Sequence, residues 1–447
     1  MERTMDRRVV ITGMGTLNPL GNTVDQTWKR LLAGQSGIRT VDFIQAECDE
    51  HGDDSYRCRI GGVVTVDDYS RYHLDNKLLN KMEDFQRYAF CAMHEAALAA
   101  RIPMSHPEEH IIFDEFSGMP SAVCDPYRMG VMLGIGVGGI KVSEEQVTVL
   151  CEKGPRRVSP FLIPKLISNL SGAWIGQSVG AKGVSSCYVT ACASGTNAIG
   201  EAFLAIKSNR ADIIISGGLE ATACRIGFAG FGNMKALSSY KGDPAKASRP
   251  FDKARCGFVM SEGGAILVLE ELNHAKQRGV PILGEVVGYG LTSDAYHITS
   301  PDPNGDGALM AMKQAVESAG IRPTDIDYIN AHGTSTVAGD RIEALGIKRL
   351  FGDREADYSR TAVSSTKSMT GHMLGGAGAF EALVCAKVCQ DNVVPPTINL
   401  DEPDDEMSGL DLVPHFAKQK DVCYAMSNSF GFGGHNAVLI FRKYSEP

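Results

Sequence analysis

The sequence predicts an α/β protein in which helices pack against sheets, and three observations predict it. Short apolar or β-branched runs alternate with longer helix-like runs along the chain. No Pro-rich, Ser-rich or single-charge stretch interrupts the 447 residues, so the 43% of hydrophobic residues serve one continuous body. Turns rich in Gly, Ser and Thr that carry Cys, His or Lys follow several strand-like runs, which is where α/β proteins build their sites. In place of the roughly three domains suggested by length alone, we read two intimately packed halves, 1–270 and 271–447, in one bi-lobed unit.

In chain order, residues 8–11 (RVVI) form the first strand-like run, and residues 84–100 read as a helix. Residues 134–139 (GIGVGG) fit GxGxxG after an apolar run, with Glu152 near the acidic position of a dinucleotide site. These glycines stand mid-chain rather than at a first strand, so we expect no dinucleotide there. Residues 187–200 (CYVTACASGTNAIG) run a β-branched strand through a small-residue turn into a helix, with Cys192 at its mouth. Unpaired N–H groups and the helix dipole favour a thiolate and an oxyanion at such a place. The other reading of Cys192 is a small buried apolar residue.

Further strand-like runs occupy 213–216, 265–269 and 328–331, with a helix-like run at 308–319 between the last two. Three later segments, 331–340 (AHGTSTVAGD), 364–382 (SSTKSMTGHMLGGAGAFEA) and 427–436 (SNSFGFGGHN), place His332, His372, Lys367 and Phe430 in glycine-rich turns. Two histidines in such turns are functional candidates beside the cysteine. Val184-Ser185-Ser186 before Cys192 and Val363-Ser364-Ser365 before His372 echo one another, a hint of internal duplication.

A net charge of -9 argues against nucleic-acid binding, so an acidic partner would need a local basic patch. The opening residues lack the apolar stretch of a signal peptide, and no run approaches the ~18 apolar residues of a membrane span. We expect a soluble, cytoplasmic protein. Its 12 cysteines are scattered without a CxxC pair, which suits reduced thiols and no metal.

From residues 9–22 (VVITGMGTLNPLGN) through 248–263 (SRPFDKARCGFVMSEG) and 293–301 (SDAYHITSP) to the GFGGHN turn, the chain resembles the β-ketoacyl-acyl-carrier-protein synthases, most closely the elongating type II condensing enzymes. The resemblance implies the thiolase-like fold: two similar βαβαβαββ halves in five layers, αβαβα, with the helices after Cys192 and His372 pseudo-equivalent. It implies a decarboxylative Claisen condensation in fatty acid elongation, without a cofactor, by a homodimer whose substrates ride on acyl carrier protein.

On that resemblance Cys192 carries the acyl chain as a thioester, and its N–H with that of Phe430 forms the oxyanion hole. His332 and His372 present N–H groups to the malonyl thioester oxygen as carbon dioxide leaves. Lys367 and Glu381 orient His372; an ordinary structural ion pair is the other reading. Phe430 gates the acyl pocket in a loop whose glycines 431, 433 and 434 surround Phe432, and Thr334 and Thr336 hold the pantetheine arm. Lys81, Arg156, Arg157 and Lys235 form the docking patch. Cys256, Ser261, Val337 and His435 depart from the family pattern, and 106–127 exceeds it as a surface excursion. A polyketide-type ketosynthase and a non-catalytic chain-length-factor-like subunit are the alternatives; the latter lacks a nucleophilic cysteine.

Overall fold

The computed structural model describes residues 7–52, 55–116, 118 and 123–446; residues 117 and 119–122 of the excursion lie outside it. Among the described residues ten strands join in one sheet. They are β1 Val9–Leu17, β2 Met129–Gly134, β3 Ser185–Tyr188, β4 Ile213–Glu220, β5 Gly263–Glu271, β6 Gly284–Ser293, β7 Tyr328–Asn330, β8 Ala362–Ser364, β9 Tyr424–Gly431 and β10 His435–Arg442. Their spatial order is β3-β2-β4-β5-β1 followed by β6-β10-β9-β7-β8. Numbered from the first strand of each half, both halves run 3-2-4-5-1 inward to the seam.

Strand directions repeat as well. β2 is parallel to β3 and β4, while β5 is antiparallel to β4 and β1. In the second half β7 is parallel to β8 and β9, while β10 is antiparallel to β9 and β6. The halves meet where Val9, Val10 and Ile11 of β1 pair antiparallel with Val286, Glu285 and Gly284 of β6. The echo of three letters at 184–186 and 363–365 therefore marks a duplicated topology.

Six helices build the layers: α1 Asp84–Ala99, α2 Leu170–Val179, α3 Ser194–Lys207, α4 Asp306–Ala319, α5 Val337–Leu350 and α6 Ala377–Asp391. α3 and α6 pack on each other, and each touches strands of both halves. They form the central layer. α6 is buried on nearly every side, as a helix enclosed between the two halves of the sheet must be, and its sequence is correspondingly apolar all round. α1 and α2 cover the outer face of the first half, and α4 with α5 the outer face of the second. The layers thus run αβαβα.

The outer helices press close because glycine faces them. A Cβ on Gly13 or Gly15 of β1 would lie 2.1 or 2.0 Å from a carbonyl oxygen of α1, at Ala96 or Ala92. In the second half Gly288 and Gly290 of β6 meet Ala315 and Ala311 of α4 at 2.3 and 2.0 Å. Only a glycine-against-alanine seam allows backbones this near. Among the described residues no helix is long and apolar enough to cross a membrane.

Candidate active site

Cys192 stands in a 3-10 turn, Ala191–Ala193, between β3 and α3. Ala191 adopts a left-handed φ of 51°, which turns the chain sharply enough to aim the next side chain inward. The turn is laced to α3, since Ser194 Oγ donates to Ala191 O at 2.7 Å and accepts from Thr190 N at 2.9 Å. Cys192 is 7% exposed. Burial pushes its thiol up to about 11, against the lowering influence of the Lys367 ammonium and the Phe432 backbone N–H. The sequence leads one to expect a lowered value at a helix mouth; loss of solvation outweighs the dipole here.

His332 follows β7 in a loop held by a carboxylate. The N–H groups of His332 and Gly333 each donate to Glu343 of α5 at 2.8 Å. His372 is pinned through its main chain instead, donating to Val259 O at 2.7 Å and accepting from Ser261 N at 2.9 Å. The two imidazoles stand 5.3 Å apart and nearly perpendicular, and His372 Nε2 lies 3.0 Å from Cys192 Sγ. Burial first, then Lys367, holds both rings well below the usual histidine range, so both are neutral.

Lys367 forms an ion pair with Glu381 of α6, both fully buried. Burial raises the Glu381 carboxyl while Lys367 opposes that rise. Removing one member of such a pair strands the other charge at about 3–5 kcal/mol. Lys367 acts on His372 and Cys192 through its field, while residues 259 and 261 hold the main chain of His372.

Cys192, His332 and His372 open into one mostly apolar cavity of about 440 Å³, also lined by Phe430, Phe432, Thr334 and Thr336. The two threonine hydroxyls lie 3.0 Å apart. Phe430 packs edge-on against the His332 ring at 5.8 Å, and it is the N–H of Phe432 rather than that of Phe430 that faces the cysteine sulfur. Gly433 and Gly434 take left-handed φ of 87° and 72° in this loop. His435 begins β10 opposite Gly431.

The docking candidates separate. Lys235 is exposed between Met234 and Ala236, both of which line the cavity. Arg156 and Arg157 are exposed on the turn Pro155–Arg157 and do not line it. Lys81 is paired with Glu108 of the excursion, where Lys77 also lies 3.6 Å away.

Two functional carboxylates escape a sequence reading. Glu220, ending β4, accepts N–H groups of Gly136 at 2.8 Å, Val137 at 3.1 Å and Gly138 at 2.9 Å. The GIGVGG loop therefore cradles the protein's own carboxylate where a dinucleotide site would hold phosphate. Glu343 does the same for the His332 loop. The available signal was a lone acid at the end of an apolar strand, IIISGGLE, and one in the helix after HGTST. Cys192, His332 and His372 have donor atoms within 4.8 Å of one another, a set that also suits a metal by donor type. The Lys367 ammonium opposes a dication at that point.

The Beta-ketoacyl synthase N-terminal domain family matches residues 6–275, and the Beta-ketoacyl synthase C-terminal domain family matches 283–401. A 3-oxoacyl-[acyl-carrier-protein] synthase 2 of Vibrio cholerae is 45% identical over 438 residues, covering 98% of this chain and 99% of the relative. The like-named protein of Synechocystis is 44% identical over 438 residues, covering 98% of each chain. Among solved structures, a beta-ketoacyl synthase from Burkholderia phymatum superposes with a TM-score of 0.85 at 32% identity, over 98% of this chain and 100% of that one. A type II polyketide ketosynthase solved with its acyl-carrier protein gives 0.86 at 29% identity over the same shares.

Proposed function

The chain belongs to the beta-ketoacyl synthase family, and from that premise we propose how its residues carry out the elongating condensation. The enzyme is a 3-oxoacyl-acyl-carrier-protein synthase acting in fatty acid elongation, an acyltransferase by reaction type. The observation that carries the assignment of roles is the Cys192 sulfur 3.0 Å from His372 Nε2, with His332 beside it, on one apolar cavity.

In the first half-reaction Cys192 attacks the acyl thioester, the carrier thiolate leaves, and the thiol proton passes to it. His372 is the group placed to relay that proton, because a thiol held near 11 needs a base at the moment of attack. In the second, malonyl-carrier loses carbon dioxide and its electron pair becomes an enolate. The N–H groups of neutral His332 and of His372, the latter now in the tautomer that carries its proton on Nε2, hold that oxygen. The enolate carbon attacks the Cys192 thioester, and the oxyanion sits between the N–H of Cys192 and, in place of the expected Phe430, that of Phe432. Collapse expels the Cys192 thiolate, which takes one proton. The balance is acyl-carrier plus malonyl-carrier plus one proton, giving 3-oxoacyl-carrier, carbon dioxide and free carrier.

Thr334 and Thr336 hold the pantetheine arm, Phe430 and Phe432 gate the acyl pocket, and Lys367 with Glu381 tunes the field across all three reacting groups. Acyl carrier protein is the partner, reached in the cytoplasm. The chain pairs with a second copy, a reading supported by the exposed edge strand β3 and by Val189, 60% exposed just beyond it. The polyketide reading is weaker, since two ketosynthases of that kind are 29% and 32% identical against 44–45% for the elongating relatives.

The test supplies purified enzyme with malonyl-carrier and acyl-carriers of graded length. We expect one carbon dioxide per 3-oxoacyl-carrier, each product two carbons longer than its acyl donor. Carbon dioxide release without any lengthened product would overturn the elongating role.

A further inference from the structure

The excursion at 106–127 does more than cover surface. Its 3-10 turn Asp114–Phe116 brings Glu115 against two histidines from separate elements: His94 on α1, and His73, which ends the turn Ser70–Tyr72. Glu115 Oε1 meets His94 Nε2 and Oε2 meets His73 Nε2, the latter at 3.1 Å. All three donor groups lie within 4.8 Å of one another. None of them touches the Cys192 cavity.

The rings are held from behind. His73 stacks on Phe113 at 4.0 Å with an interplanar angle of 11°, and its backbone sits at a left-handed φ of 57°. His94 is wedged edge-on between Tyr72 at 5.6 Å and Phe116 at 6.3 Å. Phe113, Phe116 and Tyr72 are all buried. The excursion thus supplies the carboxylate and two of the three rings that orient the imidazoles. Rings locked in place with their Nε2 atoms and a carboxylate gathered within 4.8 Å of one another give the preorganisation that a metal site needs.

We propose that His73, His94 and Glu115 form a divalent-metal site of the zinc class that clasps the excursion onto α1. Two imidazole nitrogens and one carboxylate are the donor set that zinc accepts with water in its fourth position. Glu115 and His73 are partly exposed, at 35% and 31%, so an ion and its water reach the site from solvent. Magnesium and calcium, which want all-oxygen surroundings, fit poorly. No reaction is assigned to this ion; its place is structural, outside the condensing site.

The experiment titrates the full-length protein, stripped with chelator, with Co²⁺ and then Zn²⁺, following cobalt absorption and the melting temperature. Cys192→Ala is run alongside to separate this site from the Cys192 cluster. His73→Asn keeps a residue that tolerates left-handed backbone, and Glu115→Gln keeps volume. We expect one equivalent bound in wild type and in Cys192→Ala, without sulfur-to-cobalt charge transfer, and a Zn²⁺-dependent rise in melting temperature. Affinity should fall roughly a hundredfold in His73→Asn and Glu115→Gln. Wild-type affinity in both variants, or a sulfur charge-transfer band lost in Cys192→Ala, would overturn the proposal.

Discussion

Ala191–Ala193 and Leu374–Gly376 occupy the same place in the two halves, each a 3-10 turn opening a central helix, α3 or α6. Each begins with a non-glycine residue at left-handed φ, 51° at Ala191 and 45° at Leu374. That conformation costs about 1–2 kcal/mol in an L-residue, and its recurrence shows that the duplicated fold demands it. The second residue differs. In the first half it is Cys192; in the second it is Gly375, where a Cβ would lie 2.3 Å from Gly136 N and 2.8 Å from Glu220 Oε2. The second turn has no room for a side chain, and the groups proposed to act from its half, Lys367 and His372, come from the chain just before it. Duplication builds the frame, and local space decides which half can carry the proposed nucleophile.

Replacing the one functional side chain of the first turn has the largest expected effect. Cys192→Ala should reduce condensation by about 10⁴-fold or more, the scale seen when a covalent nucleophile is lost. The fold should survive, because one sulfur is removed and no large volume. Carbon dioxide release from malonyl-carrier should persist, since it belongs to the second half. Product formation and carbon dioxide are measured together; loss of both would break the division of labour between the halves.

Within the second half, His332→Ala and His372→Ala should each lower carbon dioxide release by about 10²–10³-fold, as for removal of an oxyanion donor. The double variant should fall short of the product of the two, because both act on one developing charge. Only His372 touches Cys192 Sγ, at 3.0 Å, so only His372→Ala should also slow acylation. Equal acylation rates in the two variants would remove the link between the turns.

Much of this was readable from the chain. Cys192, His332 and His372 stand in small-residue turns at strand ends, and the alternation of runs announces layered α/β packing. What could not be read depends on contacts distant in sequence. Glu220 and Glu343 look like ordinary acids until the loops they hold fold over them, and Lys81 looks free until Glu108 reaches it from the excursion. The duplication left three letters because most of it resides in strand order. The residue answering to Cys192 is Gly375, not the His372 that the letters pointed toward, because the second half inserts a helical turn before the strained one. The backbone N–H that bears on the Cys192 thiol is that of Phe432, two residues beyond Phe430 and past the end of β9, a matter of register that the letters GFGG do not display.

The thiol tests which force rules the first turn. With Cys192 pushed up to about 11 by burial, its thiolate fraction is small at neutral pH and rises tenfold per pH unit until the folded value is reached. Neutral His332 and His372 add no inflection near 6–7. Alkylation of the Cys192 peptide by iodoacetamide, read by mass spectrometry from pH 6 to 10, should climb with a log slope of about 1. The exposed Cys151 and Cys423 give the reference in the same samples. A plateau by pH 7 would mean that the helix dipole wins at Cys192 after all, and would make the two turns electrostatically unlike.

The smallest effects belong to the surface, where the first half also differs from itself. Arg156 and Lys235 are exposed and carry no ion pair among the described residues, whereas Lys81 is already answered by Glu108. For an acidic partner and a chain of net charge -9, the proposed docking patch has to rest on cations that no carboxylate already answers. Reversing Arg156 and Lys235 to Glu together should raise KM for acyl-carrier by about tenfold and leave turnover of a small pantetheine thioester nearly unchanged. Lys81→Gln alone should change KM less than twofold, because Glu108 already answers that charge, and Glu108→Gln should lower KM slightly by freeing that lysine. Steady-state kinetics at two salt concentrations measure all three variants. A larger effect at Lys81 than at Arg156 and Lys235 would move the docking surface to the flank where Lys81 meets the excursion, and equal losses on carrier and small thioester would show structural damage instead.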